Sequence, residues 1–452
     1  MRFIDFWREK TMKLLIAVWL SKFLIFIGKL VGKKGSSTPG IYAMKICPDI
    51  LKMLSTQIKK DIIVVCGTNG KTTTNNLINT MISSAGNKVV CNSVGANMLP
   101  GVVTAFVEKT NFFGKLYADY ACIEIDEMSA VKVFEHFEPD YMVVTNLFRD
   151  QLDRYGEVEI TLAYLQKAVA MCENITLILN ADDPIVSSLA KKTEKNTVFY
   201  GVGENVGISL KETKEGRFCV FCGEELSYEY YHYSQLGNFK CKQCGFERPV
   251  VDFEATNVNL DNGISFSVDN SKFDVKYRGF YNIYNILAAY TAISTAKIEI
   301  TNVNDILSNY KPQIGRMEEF TVKGKQVILN LAKNPAGFNQ AISTVMCDKR
   351  NKNIIIAVND KPSDGKDISW IWDVDFETLN NISVNKIFTS GIRHNDLEVR
   401  FKYADFKNTE DIENIKDAIL KGLEDSDVLY VLVNYNMLFS TQNIIKNLES
   451  EK

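Results

Sequence analysis

The chain has 452 residues, 46% of them hydrophobic and 24% charged, which is room for two or three cores of an ordinary globular protein. Its formal charge of −3 supplies no overall basic field, which argues against nucleic acid as a partner. Of ten cysteines, Cys47, Cys66, Cys91, Cys122, Cys172 and Cys347 are scattered, several in apolar strand-like runs, and read as reduced core residues of a cytoplasmic protein.

Residues 12–34 are apolar but interrupted. Lys22 divides the run into 14–21 and 23–28, each shorter than the roughly twenty residues a bilayer span needs, so a single span is not expected. Lys22, Lys29 and Lys33 share one helical face, and Leu, Ile, Phe and Trp19 fill the rest. Two readings stand: a basic amphipathic helix in peripheral contact with the inner face of the plasma membrane, or a helix docked on the protein's own core. No small-residue cleavage site follows, so a signal peptide is not expected. Gly35-Ser36-Ser37-Thr38-Pro39-Gly40 then closes an N-terminal segment, 1–40.

The most specific motif follows the apolar run 62–66: Gly67-Thr68-Asn69-Gly70-Lys71-Thr72-Thr73-Thr74 leaves a buried strand and enters a helix. Backbone N–H groups in such a turn surround an oxyanion, Lys71 reaches the β/γ-phosphates, and the Thr72 hydroxyl suits Mg²⁺. A nucleoside triphosphate, ATP, is the expected ligand. Further apolar strands at 88–91, 119–125, 141–145, 175–179 and 197–200 alternate with helical segments, which predicts a mostly parallel sheet covered on both faces. Glu124 ends one of these strands beside the phosphate loop, where a carboxylate completes Mg²⁺ coordination with Thr72; Asp126 and Glu127 crowd the same turn and offer substitutes.

Residues 203–280 change to short aromatic, Gly-punctuated segments, a β-rich insertion and return. Within it Cys219-x-x-Cys222-Gly223 and Cys241-x-x-Cys244-Gly245 are separated by eighteen residues, the spacing of a zinc ribbon with four thiolate ligands. A closed four-cysteine site has no open coordination position, so this Zn²⁺ is expected to serve folding or partner docking. Helical periodicity resumes at 283–296 and 303–310, and after Gly315-Arg316 a second α/β pattern begins, with strands at 326–331, 353–358, 386–389 and 428–433 and a closing helix. The predicted domains are thus 41–313, with the ribbon at about 205–250, and a Rossmann-like 314–452. Asn282 and Asn285 open a helix and read either as an amide pair for the adenine edge or as a cap and a polar helix face. Asp360, Asp364 and Asp367 lie on a loop after strand 353–358, where composition alone reads a turn.

The compact phosphate loop resembles that of the Mur ligases and folylpolyglutamate synthases. Thr145-Asn146-Leu147-Phe148-Arg149-Asp150-Gln151-Leu152-Asp153, Asn180-Ala181-Asp182-Asp183-Pro184, Asn282-x-x-Asn285 and Gly315-Arg316-Met317-Glu318 are similar to further Mur segments in the same order. The departures, Gln151 and Asn330-Leu331-Ala332-Lys333-Asn334-Pro335, together with the cysteine pairs and Asp360-Lys361-Pro362-Ser363-Asp364, resemble the branch that serves as synthetase subunit of a glutamine-hydrolysing lipid II isoglutaminyl synthase. The resemblance implies a Mur-ligase-like central ATP-binding domain and amidation of the lipid-linked peptidoglycan stem D-glutamate through an acyl-phosphate. By the same resemblance, ammonia is expected from a GatD-like glutamine amidotransferase subunit in a heterodimer. It also implies that Glu124 binds Mg²⁺, that Asn282 and Asn285 lie near adenine, and that Arg316 meets the γ-phosphate. The resemblance further implies that Asn330 and Lys333 contact ribose and the phosphate or acyl-phosphate, and that Asp364, or second Asp360, orients the histidine of the partner's glutaminase. The rival readings are a stand-alone amino-acid ligase and a nucleotide-gated scaffold without ligase activity.

Overall fold

The computed structural model describes residues 2–30, 37–92, 96–149, 158–207, 216–260, 263–310, 314–360, 367–381 and 383–451. Two large sheets organise it. The first runs through β1 (Ile62–Cys66), β2 (Val89–Cys91), β3 (Tyr120–Glu124), β4 (Tyr141–Val144), β5 (Thr176–Asn180) and β6 (Asn196–Val202). A hairpin of β7 (Ser227–Tyr233) and β8 (Leu236–Lys240) stands apart, and β9 (Phe253–Asn259), β10 (Ile264–Val268) and β11 (Ser271–Val275) return to the sheet. Its order is β11-β10-β9-β6-β5-β4-β1-β3-β2. Every pair from β2 to β9 is parallel, and only β9-β10-β11 is antiparallel.

β1 is flanked by β3 and β4, and all five of its residues are buried, as a parallel strand covered on both faces requires. Its side chains alternate between two cores. Ile62, Val64 and Cys66 face one with Phe106 and Leu165, whereas Ile63 and Val65 face another with Leu77, Ile283 and Leu287. The loop after β1 therefore leaves a strand paired on both edges and buried on both faces, and its position is fixed by packing on both sides.

The second sheet comprises β12 (Glu318–Val322), β13 (Lys325–Leu331), β14 (Lys352–Ala357), β15 (Val384–Ser390), β16 (Thr409–Asp411) and β17 (Val428–Val433), in the order β12-β13-β17-β14-β15-β16. Only β12 is antiparallel to its neighbour. Strands β12 and β16, at the two edges, were not expected from the sequence, and β9 to β11 return from the cysteine hairpin to extend the central sheet.

The N-terminal segment holds the helix Arg2–Leu30. Leu14, Ala17, Val18 and Ser21 are buried, and the Ser21 hydroxyl donates to Pro39 O at 2.9 Å, so one face is docked on the core. The opposite face is exposed.

Candidate active site

Gly67 and Gly70 have φ of +120° and +84°, in the region that favours glycine. A Cβ at Gly67 would fall 2.2 Å from Thr145 Oγ1, and one at Gly70 would fall 2.2 Å from Asn285 Oδ1. Backbone conformation and crowding thus demand the same residue. The loop is threaded by the end of β4: Thr68 N donates to Asn146 O at 2.8 Å, Asn69 N to Asn146 Oδ1 at 2.9 Å, and Thr145 Oγ1 to Asn69 O at 2.7 Å. Thr145 and Asn146 clamp the loop, a task that the sequence motif holding them did not reveal. Thr72 and Thr73 lie in the first turn of the following helix, Lys71–Ser84, whose N-terminus faces the same loop.

Lys71 Nζ donates to Gly67 O at 2.5 Å and to Glu127 Oε1 at 2.9 Å, and the same carboxylate oxygen accepts Gly67 N at 2.8 Å. Burial opposes the Lys71 charge, but Glu127, Glu124 and Asp126 outweigh it and hold the ammonium above its ordinary pKa. Burial likewise opposes the Glu127 carboxylate, and Lys71, with Lys333 beyond it, pulls its pKa below the usual range. Glu124 differs. Burial dominates and raises its pKa, only partly offset by Lys71, Thr72 and Asn97. One Glu124 oxygen accepts Asn97 Nδ2 at 3.2 Å, and the other, Oε2, is buried without a hydrogen-bond partner. An orphaned carboxylate oxygen beside Thr72, at the end of a central strand, has the donor chemistry of a Mg²⁺ ligand.

Asn285, on the helix Tyr281–Thr295, lies over Gly70 and donates to Asn282 Oδ1 at 3.1 Å; Asn282 Nδ2 donates to Arg278 O at 2.8 Å. This pair therefore abuts the phosphate loop. Arg316 lies near the Tyr281 and Tyr310 rings; burial raises the pKa of both phenols, and the Arg316 charge only partly offsets it. Asn330, on β13, accepts Met317 N at 3.2 Å and so ties the segment between the sheets to the second sheet. Lys333 follows β13, and Asn334 caps the helix Pro335–Cys347 by accepting Gly337 N at 2.8 Å. Asn334 and Asn69 also exchange amide contacts at 3.3 Å, a direct bridge from the second sheet to the phosphate loop.

The four cysteines converge. All Sγ atoms of Cys219, Cys222, Cys241 and Cys244 lie within 4.8 Å of one another, with Cys219–Cys244 and Cys222–Cys241 both at 3.5 Å. A disulfide bond is about 2.05 Å long, whereas thiolates about 2.3 Å from one tetrahedral ion sit roughly 3.8 Å apart. The two knuckles repeat one geometry, with Gly223 at φ +76° and Gly245 at +75°, and Phe239, Phe246 and Leu226 form a small core beneath them. The hairpin is fastened to the main site. Gln235 Nε2 donates to Leu147 O at 2.8 Å, Arg248 Nε to the buried Asp182 at 2.7 Å, and Tyr233 packs on Phe148, whose N–H donates to Thr68 Oγ1.

Asp360, after β14, pairs with Arg393 at 2.5 Å. Asp364 lies outside the described residues, as do Asp150, Gln151 and Asp153.

Residues 65–293 match the model of the Mur ligase middle domain, and residues 331–438 match that of the MurT ligase C-terminal region. The chain is 36% identical over 424 residues to a Staphylococcus aureus protein named lipid II isoglutaminyl synthase (glutamine-hydrolyzing) subunit MurT, covering 93% of this chain and 95% of that one. It is 32% identical to the Streptococcus pneumoniae protein of the same name, covering 91% and 92%. In fold it is similar to a pseudomurein peptide ligase type C from Methanothermus fervidus, with TM-score 0.70, 24% identity and coverage of 88% and 80%. It is also similar to the ligase MurF from Thermotoga maritima, with TM-score 0.63, 14% identity and coverage of 92% and 85%. With both family models and near-full-length relatives in agreement, the chain belongs to the MurT family of Mur ligases.

Proposed function

We propose that the chain is the synthetase subunit of a lipid II isoglutaminyl synthase and amidates the α-carboxylate of the stem D-glutamate in an ATP-dependent reaction. The observation that carries this reading is a phosphate cradle with one buried lysine and an orphaned Glu124 oxygen, bridged by Asn69–Asn334 to the sheet that follows the hinge. A carboxylate does not accept an amine at neutral pH. Transfer of the γ-phosphoryl group to it creates an acyl-phosphate, which ammonia then attacks with release of phosphate. The protein's task is to cluster positive charge around two anions. Lys71 neutralises the phosphates, Arg316 approaches from the hinge, and Lys333 lies beside Glu127 on the far side. Gly67 to Thr73 supply backbone and hydroxyl donors, and Asn282, Asn285 and Asn330 hold the loop and hinge against the nucleotide. Thr72 and Glu124 would hold Mg²⁺, which when bound withdraws charge from the phosphoryl oxygens.

The reading places the catalytic centre between a central domain, 41–313, and a Rossmann-like domain, 314–452. The four-cysteine hairpin is a zinc ribbon within the first. Ammonia reaches the centre from a GatD-like glutaminase docked on the second domain, at the loop holding Asp360 and Asp364, in the cytoplasm where lipid-linked precursor is exposed.

The deciding assay offers ATP, the lipid-linked precursor and either ammonium or free amino acids. Isoglutamine formed from ammonium supports the reading, and amino-acid addition would replace it with a stand-alone ligase. Glu124→Gln should raise the Mg²⁺ concentration needed for half-maximal rate by about tenfold or more, because a charged ligand becomes neutral; an unchanged requirement would remove Glu124 from the metal site. Metal analysis should find about one zinc per chain. Cys241→Ser should lower the melting temperature by about 5 °C or more, since a structural zinc site contributes folding free energy directly. Zinc lost with no change in melting would sink the structural role.

A further inference from the structure

We infer that the exposed face of the N-terminal helix is a membrane-surface docking site, with an anionic lipid bilayer as its occupant. The inference rests on the proposed function only for why a lipid surface is useful to the protein. Met12, Ile16, Trp19, Phe23, Phe26, Ile27 and Leu30 are all exposed, Phe23 at 58% and Phe26 at 59%. At 100° per residue these positions fall on one stripe about 100° wide and roughly 27 Å long, opposite the buried Leu14, Ala17, Val18 and Ser21. The turn that follows the helix Leu99–Lys109 widens the patch. Trp19 Nε1 donates to Phe112 O at 2.7 Å, Lys22 lies over the Phe112 ring, and Phe113 is 81% exposed.

Charge decides between occupants. Residues 1–34 carry eight Lys and Arg against two Asp and Glu, a net +6 within a chain of net −3, so the remainder carries −9. A self-complementary pairing of this stripe in a two-fold dimer would bring two such +6 segments together, whereas an anionic leaflet attracts each of them. Lys22 and Lys29 border the stripe near Glu108, and Lys13 borders it on the other side. Trp and Phe between lysines are the composition of a helix lying in the interface. Glu9–Leu30 is long and apolar enough to cross a membrane, but spanning would tear its buried face from the core and break the Ser21–Pro39 bond. The helix lies on the bilayer and does not cross it.

The test is sedimentation of the full chain with sucrose-loaded vesicles of phosphatidylglycerol and phosphatidylcholine, with neither ATP nor precursor, so that its outcome is independent of the ligase reading. The parent should partition onto anionic vesicles and more weakly onto pure phosphatidylcholine. Phe23→Glu/Phe26→Glu should reduce partitioning by about tenfold or more at an unchanged melting temperature, because both side chains are exposed. Tyr403→Glu, on a distant exposed aromatic, should leave it unchanged. Absence of parent binding, or equal binding by the double variant, overturns the inference. A parent dimer that the double variant dissociates also overturns it and assigns the stripe to a second copy.

Discussion

Lys71→Ala is expected to abolish amidation with glutamine and with free ammonium alike, a fall of about 10³-fold or more, because both routes need the carboxylate activated by ATP. The same substitution should destabilise the fold. Glu127 is buried, accepts Gly67 N, and has Lys71 at 2.9 Å as its cation; removing one partner of such a pair costs about 3–5 kcal/mol. The two effects separate in the double variant Lys71→Met/Glu127→Gln. With the Glu127 charge removed along with its cation, part of the lost melting temperature should return, while activity should not; Glu124 and Asp126 still lack the Lys71 charge. Ammonium-dependent product at near the parent rate in Lys71→Ala would remove the cradle from the activating step.

The second large effect concerns the other half-reaction. If Asp364 orients the histidine of the glutaminase partner, Asp364→Asn should suppress glutamine hydrolysis by the assembled pair by up to about 10⁴-fold, the loss seen when a triad aspartate is removed. Amidation with high ammonium should persist, since the phosphate cradle is untouched. Asp360→Asn is the matched control. Its carboxylate is already engaged by Arg393, and breaking a half-exposed ion pair costs about 1 kcal/mol or less, so a milder effect is expected. The reverse order would move the role to Asp360, and full glutamine-dependent activity in both variants would reduce the loop to a turn.

Much of the fold was legible because parallel strands buried on both faces are written as unbroken apolar runs. Ile62–Cys66 and Val428–Val433 are of this kind and fall where their residues predict, and the strand expected at 353–358 is Lys352–Ala357, apolar from Ile354 onward. The edge strands of the second sheet were not. β16 has three residues, and β12, Glu-Glu-Phe-Thr-Val, buries only Phe320 and Val322, too little alternation to separate a strand from the hinge beside it. In the site, the phosphate loop was legible from its glycines and lysine, and the four cysteines from their spacing. The clamps on the loop left no local trace. Asn69 meets Asn146 and Asn334, separated by 77 and 265 residues, and a hydrogen bond over such distances imposes no periodicity on either segment. Gln235 and Arg248, which fasten the hairpin to the body, were hidden for the same reason.

Those separations also order the site in time. Of the site, β1 and the loop leave the ribosome first, but Asn146 must follow before the backbone of Thr68 and Asn69 acquires its partners, and Asn334 arrives only 265 residues after Asn69. The strand that carries the cradle lies in mid-sheet between β3 and β4, so it cannot be completed by sequence-adjacent pairing, and β2 takes an edge instead. Contacts this remote form late and slowly. A nascent or truncated chain ending before residue 314 therefore contains every phosphate-loop residue yet lacks the Asn334 bridge and Lys333, the parts that bring the second sheet to the nucleotide.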